Sequence, residues 1–408
     1  MKNIYDIRND NKLLFIIEEN KCTNALCYDT NLVAIVVNLY YVDTVQDYMN
    51  CINSISSKID IYIISSQSEV LDKVKQLKKR ELYLINKENR GRDISALLIS
   101  FREYYSKYEY ICFLHDKKAN HRCWREDTKI WIDNMWGNMI ASNEYINSIL
   151  NIFRDNEHIG LLVPPEPVGE YYNAWYGDTW YGNFENVKNL AKSLNLDCDI
   201  SKEKRCITLG TVFWTKTRSL MKLFERKWTY DDFPLEPMPL DGTLNHAVER
   251  IIGFVAQDAG YDTGTIMNKS YATWLLLYAQ ENMQKMYYKL EKNLGIHNTH
   301  QLNIYEVQEQ KIKNFCESNS KVYLYGAGKY GKCILKIMKN MGYLPEGFVV
   351  GKGKRKQQEI ENINVYELDE IADEKEFGII ITVDYNLQNE IKENLKIMGI
   401  SNIMIGVI

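Results

Sequence analysis

The chain has 408 residues, 45% of them hydrophobic and 25% charged, with a formal net charge of −4. That balance excludes disorder and describes an ordinary globular chain long enough for two domains. The small net charge also excludes a whole-protein field that would draw in nucleic acid, so anion recognition must come from local clusters.

The nine cysteines are scattered without CxxC or Cys/His metal spacing, and the opening MKNIYDIRND carries no apolar run of the signal-peptide kind. Both features predict a reduced, cytoplasmic protein. No segment approaches the ~20 apolar residues of a spanning helix, so membrane contact is expected to be peripheral, at the inner face of the cell membrane.

Apolar runs at 32–41, 59–66, 81–86, 110–115, 159–165 and 206–216 predict strands. Segments of helical period at 68–79, 93–105, 127–154 and 241–259 predict helices between them. This alternation implies an α/β fold with a largely parallel sheet covered by helices. Residues 272–318 turn polar and helical, and a second strand-helix pattern opens at Lys321. The expected division is a first domain over 1–300, a linker over 301–318 and a smaller α/β domain over 319–408. Within 274–294, Leu276, Met283 and Leu290 fall seven apart with Ala279 and Met286 between them, beside Lys285, Lys289 and Lys292. Such a stripe is expected to dock against protein, with contact to anionic lipid as the further hypothesis.

Four clusters in the first domain could carry chemistry. In ENRGRDISALL, Gly91 permits a tight strand-to-helix turn and Asp93 stands where an N-cap would. Arg90 and Arg92 are then either solvated or turned, with the helix N-terminus, toward a phosphate or base. The run YICFLH leads straight into Asp116, Lys117 and Lys118. The end of a buried strand is where α/β sheets collect ligands, and one carboxylate beside two lysines favours direct cationic contact with a diphosphate over a metal cage. A polar turn with solvated lysines is the equal alternative. The third cluster is ITLGTVFWTKTRSL, and the fourth is LDGTLNHAVERIIGFVAQDAGY. There Asp241 is either a helix cap or a general base for a sugar hydroxyl, and His246 with Glu249 reads best as a hydrogen-bonded pair at helical spacing.

In the second domain, KVYLYGAGKYGKCILKIM sets Gly326, Gly328 and Gly331 as a GxGxxG between a strand and a helix. The next strand ends in Gly351, Lys352 and Gly353, without the acidic residue that would hold the ribose of NAD. NAD is therefore not expected, and a structural or interaction role is favoured over cofactor binding.

The ordered set NRGRD, FLHDKK, CWRED, GTVFWTK and LDGTLNHAVERIIGFVAQDAGY resembles the rhamnan synthesis F family of bacterial cell-wall and capsular polysaccharide assembly, over roughly residues 30–270. The resemblance implies a GT-A-like glycosyltransferase, a nucleotide-binding sheet presenting donor and acceptor at one edge. It implies Asn89, Arg90, Gly91, Arg92 and Asp93 near the nucleotide, and His115, Lys117 and Lys118 near the diphosphate. Trp124 and Arg125 would lie close by, Gly210, Thr211 and Trp214 beside the sugar or acceptor, with Gly242, Thr243 and His246 near them, and Asp241 would be the base. The family more commonly has threonine where Asp116 stands, so a Mg2+ or Mn2+ ion held through Asp116 stays open. The implied donor is dTDP-rhamnose, with a UDP-sugar as the alternative, and the implied acceptor a lipid-linked oligosaccharide. The second domain resembles the Rossmann-like domains attached to bacterial sugar-modifying enzymes. The rival function is a non-catalytic nucleotide-sensing or assembly protein of the same pathway.

Overall fold

The apolar runs of the first half become neighbouring strands in a computed structural model that describes residues 13–18, 32–118, 125–169, 179–203, 208–294, 299–372, 374 and 376–406. In chain order these are β1 (Leu13–Ile17), β2 (Val33–Asn38), α1 (Val45–Ile52), β3 (Asp60–Ser65), α2 (Ser68–Leu77), β4 (Tyr83–Asn86), α3 (Arg92–Ser95) and β5 (Tyr110–His115). There follow α4 (Arg125–Gly137), α5 (Asn143–Asp155), β6 (Ile159–Val163), α6 (Phe184–Ser193), β7 (Phe213–Lys216), α7 (Met221–Glu225), α8 (Leu244–Asp258), β8 (Asp262–Asn268) and α9 (Lys269–Leu294). The strands form one sheet in the order β1-β8-β6-β7-β5-β2-β3-β4. Only β7 runs against its neighbours.

β2 is buried at every position, as a central strand covered on both faces must be. Its side chains alternate between two cores. Ala34 and Val36 join Phe113, Phe213, Ile251 and Ile252 on the α8 side, while Ile35 and Val37 join Cys112, Trp214, Trp136 and Ile149 on the side of α4 and α5. From β2 the chain lays β3 and β4 to one side and β5 to the other, so the switch point lies between β2 and β5. Ligands of open α/β sheets bind outside the strand carboxyl ends at such a point.

Several boundaries differ from the sequence expectations. The helix expected over 127–154 is two, because Ser142 turns extended and its hydroxyl accepts from the Tyr145 N–H to cap α5. The one expected over 93–105 is α3 followed by a π turn, Ala96–Ser100. Among the described residues of the run 206–216, strand covers Phe213–Lys216 alone. Neither β1 nor β8 was expected: β1 is a sheet edge with Leu14 and Ile16 exposed, and DTGTIMN has no continuous apolar run.

The chain divides into two compact units, Met1–Leu276 and Leu277–Ile408. The second contains α10 (Thr299–Glu317), β9 (Lys321–Tyr325), α11 (Lys329–Asn340), β10 (Gly347–Val350), β11 (Glu359–Ile360), β12 (Ile363–Glu367), β13 (Phe377–Ile381), α12 (Tyr385–Ile397) and β14 (Ile403–Ile405). Its sheet runs β11-β12-β10-β9-β13-β14, parallel except for β11. The whole is mixed α/β, a large helix-flanked sheet and a smaller one. Among the described residues no helix is long and apolar enough to cross a membrane.

Candidate functional site at the sheet switch point

Asp116, one residue beyond β5, is buried, and its Oδ2 accepts from the backbone N–H groups of Tyr40 and Tyr41 at 2.8 Å each. Those tyrosines follow β2, so the carboxylate ties together the two loops that flank the switch point. Burial raises the Asp116 pKa and the two N–H groups pull it back down. The next residue upstream, His115, lies with Nδ1 2.7 Å from Asp116 O and Nε2 2.5 Å from Gly210 O. That ring joins the β5 end to the turn before β7, where Gly210 and Thr211 have φ of 96° and 51°. A Cβ at Gly210 would stand 3.1 Å from the Trp131 indole nitrogen, so the left-handed turn and the tight wall both call for glycine.

The NRGRD loop is fixed from below and from the side. Lys87 is buried, its ammonium donating to Glu88 O, Arg90 O and Ser95 Oγ, and burial lowers its pKa to about 8. Gly91 rather than Asp93 is the N-cap of α3, at φ 74°, and its carbonyl accepts from Asn245 Nδ2 on α8 at 2.7 Å. Asn89 takes a hydrogen bond from Ser66 Oγ. Arg90 donates to Asp231 Oδ1 at 2.6 Å and to Phe233 O at 2.7 Å, so most of its guanidinium is occupied. Arg92, more exposed, meets Glu236 Oε1 at 3.2 Å.

At the start of α8 the cap is Thr243, whose hydroxyl and N–H both meet His246 Nδ1, at 2.8 and 3.4 Å. Asp241 therefore lies outside the helix and does not cap it. Its Oδ1 accepts from Nδ2 of the fully buried Asn183 at 2.7 Å, with His246 Nδ1 at 3.8 Å and Arg250 at 3.9 Å from the same oxygen. Nor do His246 and Glu249 bond to each other. Glu249 Oε1 accepts from Gly210 N–H at 2.5 Å and its Oε2 meets Arg250 at 3.3 Å. Burial lowers the His246 pKa, against the pull of Glu249 and Asp241.

Lys117 is the inward lysine. Its ammonium stands 3.1 Å from the centre of the Trp131 ring, and burial lowers its pKa to about 8 although Glu249 and Asp93 favour its charge. Lys118 is more exposed and paired with Asp43. Lys117, Asp93, Glu249, His246, Arg92 and Asp241 thus form one electrostatic cluster at the carboxyl edge of the sheet.

Trp214 is a core residue, fully buried on β7 with its indole N–H donating to Met139 O at 2.9 Å, and cannot touch a sugar. A metal through Asp116, left open by the sequence, finds no fitting set of donors among the described residues, since Oδ2 already accepts two N–H groups and the adjacent Lys117 and Lys118 are cationic. Among the described residues no group of three or more His, Cys, Asp and Glu could hold a metal ion. Trp124 and the side chain of Arg125 lie outside the described residues. Gly242 is exposed at φ 76°. In the second unit Gly326 has φ 115°, Gly328 caps α11, and Gly331 packs against the Gly326 carbonyl.

Sequence reasoning missed Asn183 and Lys87, in unremarked stretches, and Asn245 within the DGT-to-HAVER run, each an amide or amine that matters through a tertiary hydrogen bond. The TxxH spacing of Thr243 and His246 was the one local signal available, a capping box with histidine in place of Glu or Gln.

Residues 1–261 match the model of the family described as rhamnan synthesis protein F, and the chain belongs to that family. Residues 318–405 match the model described as C2185-like, N-terminal. Two curated relatives, both the uncharacterized protein WxcX of Xanthomonas campestris pv. campestris (strains B100 and ATCC 33913), are 24% identical over 238 residues. The match covers 57% of this chain and 32% of the relative, so the chain spans about a third of the length of the curated relatives it matches. A solved cytidylyltransferase from Leptospira borgpetersenii superposes with a TM-score of 0.29 at 11% identity, over 58% of this chain and 76% of that one. That likeness is too low to argue from.

Proposed function

From membership of a family of polysaccharide synthesis we propose that the first unit is a GT-A-like glycosyltransferase, moving a sugar from a nucleoside diphosphate to a growing glycan. The observation that carries the reading is Asp241, a carboxylate outside any helix cap, with Oδ1 held by buried Asn183 and facing Arg250 and His246. With Oδ1 so engaged, Oδ2 is the oxygen left to receive a proton. The acceptor hydroxyl gives its proton to Asp241, its oxygen bonds to the anomeric carbon, and the bond from that carbon to the diphosphate breaks with the electron pair leaving on the nucleoside diphosphate. Attack opposite the leaving group inverts the anomeric centre.

Lys117 supplies positive charge to the departing diphosphate, and Arg92, paired with Glu236, adds positive charge to the same edge. Arg90 and Lys118, already paired with Asp231 and Asp43, hold the loops that shape the donor site. Asn89, Gly91 and Asp93 would line the nucleotide, and Gly210, Thr211, Gly242 and Thr243 the sugar. A family of rhamnan synthesis supports rhamnose as the sugar, so the reading takes dTDP-rhamnose ahead of a UDP-sugar as donor and a lipid-linked oligosaccharide as acceptor. The test is release of nucleoside diphosphate from dTDP-rhamnose or UDP-hexose by the full chain. Release that depends on an added glycan acceptor is expected, and its absence with every donor would leave a nucleotide-sensing role instead.

A further inference from the structure

A groove of about 280 Å3 opens beside the turn that carries Asp241, with Gly242 in its wall. One side is an edge of α6, contributing Asn186, Asn189, Leu190 and Ser193, and the other is Arg226 and Leu244. The same edge of α6 begins at Asn183, the N-cap whose amide holds Asp241. One turn further on, Asn186 Nδ2 donates to Gly242 O at 3.0 Å. Positions 183, 186, 190 and 193 lie on one helical face. At 1.5 Å per residue that edge is about 15 Å long, and the groove lies along its later part, with Gly242, the chain neighbour of Asp241, in its wall.

The lining decides the ligand. Asn189 offers an amide donor and acceptor, Asn186 keeps its Oδ1 as an acceptor while its Nδ2 binds Gly242 O, and Leu190 and Leu244 supply apolar atoms, a combination that suits a sugar ring with its hydroxyl rim and C–H face. An anion is poorly served, because the one cation, Arg226, already donates to Ser193 Oγ at 2.7 Å and faces Asp232 at 3.6 Å. We propose that this groove is an acceptor subsite, binding the sugars that precede the attacking residue of the acceptor glycan. It rests on the reading of Asp241 as the base of glycosyl transfer, and makes the enzyme selective for acceptors longer than one sugar.

The experiment compares the full chain with Asn189→Trp, which fills the groove from an exposed helix position outside the reacting centre, and Asn189→Ala, which removes only the amide. Probes are a rhamnose trisaccharide and methyl rhamnoside, measured by calorimetric binding and as acceptors from dTDP-rhamnose. The wild type is expected to bind the trisaccharide at least about tenfold more tightly than the monosaccharide. Asn189→Trp should abolish that advantage and raise KM for the trisaccharide by about tenfold, with transfer to methyl rhamnoside kept within about twofold. Asn189→Ala should move the same way by less. Trisaccharide binding unchanged in Asn189→Trp, or a wild type that does not prefer the trisaccharide, overturns the subsite. A preference lost in the variant without sugar transfer by either protein upholds the groove and refutes the transfer reading alone.

Discussion

Lys117→Met tests whether the inward lysine is kept for charge rather than for packing. Burial brings its pKa from 10.5 to about 8, and each pH unit of displacement is worth about 1.4 kcal/mol. Keeping the ammonium charged at neutral pH therefore costs the free protein about 3 kcal/mol at most, and about 1–3 kcal/mol once its partial contact with water is allowed for. Methionine keeps the length and the contact with Trp131 while removing the charge. The variant is expected to be more stable than wild type by that amount, with each kcal/mol raising the melting temperature by on the order of 2–4 °C. The folded amine binds its proton less tightly than the unfolded one. Wild-type stability therefore rises with pH between about 8 and 10.5, and the advantage of the variant fades across that window. Function should move the other way. Loss of a charge-assisted contact worth about 1.5–3 kcal/mol weakens dTDP binding by about tenfold to a hundredfold. Wild-type affinity should fall as pH climbs past about 8, a dependence the variant lacks. Urea melts and calorimetric titration with dTDP from pH 6 to 10 read both effects. A variant that is less stable at pH 7 and binds dTDP like the wild type would refute the reasoning.

Asp241→Asn leaves the Thr243 cap untouched and its amide oxygen can still accept from Asn183, so melting should be unchanged while transfer falls by about 10² to 10⁴. Transfer near the wild-type rate would remove Asp241 from the base role. Glu249→Gln keeps the acceptor for Gly210 N–H but removes a charge that favours protonated Lys117, so the loss of dTDP affinity should begin at lower pH; an unmoved profile counts against the cluster. Asp116→Ala strands the Tyr40 and Tyr41 N–H groups at about 1–3 kcal/mol each, whereas Asp116→Asn should retain most of the stability. With Asp116 acting as a clamp, EDTA should leave turnover intact, and full loss rescued by Mn2+ would return it to a metal.

The central strands were legible because β2, β3, β5 and β6 are buried nearly end to end and their apolar runs cannot fit anywhere else. The antiparallel course of β7 was not legible, since FWTK carries no mark of direction and its pairing with β5 and β6 is fixed by the chain's path. The charged cluster after β5 was legible only in part. Position picked out Asp116, Lys117 and Lys118 together, yet each does different work: a clamp on backbone, an inward charge and a surface pair. Local spacing put Asp93 at a cap position and left the cap open as an alternative role for Asp241. Asp93 and Asp241 have the right chemistry, but Gly91 and Thr243 have the backbone positions. Asn183 lies 58 residues from the carboxylate it holds, a separation over which no sequence pattern speaks.

The GxGxxG of the second unit can be separated into packing and binding, because its three glycines meet different surroundings. A Cβ on Gly331 would lie 2.0 Å from Gly326 O, and one on Gly326, already at φ 115°, would lie 2.7 Å from Thr382 O. Both are required by the strand-to-helix turn alone. A Cβ on Gly328 meets nothing within 4 Å, and its backbone is extended at φ −91°. In dinucleotide-binding folds the middle glycine is the one that lets a pyrophosphate approach, so here it is dispensable unless a ligand sits there. Gly331→Ala is expected to destabilise the second unit by several kcal/mol, as a forced backbone clash does. Gly328→Ala should melt like the wild type, and neither NAD nor dTDP should raise the melting temperature of the second unit in either protein. A nucleotide that stabilises the wild type and fails to stabilise Gly328→Ala would show that the loop holds a pyrophosphate after all. At 100 times its dissociation constant such a ligand adds about 2.7 kcal/mol, an effect well within reach of a thermal melt.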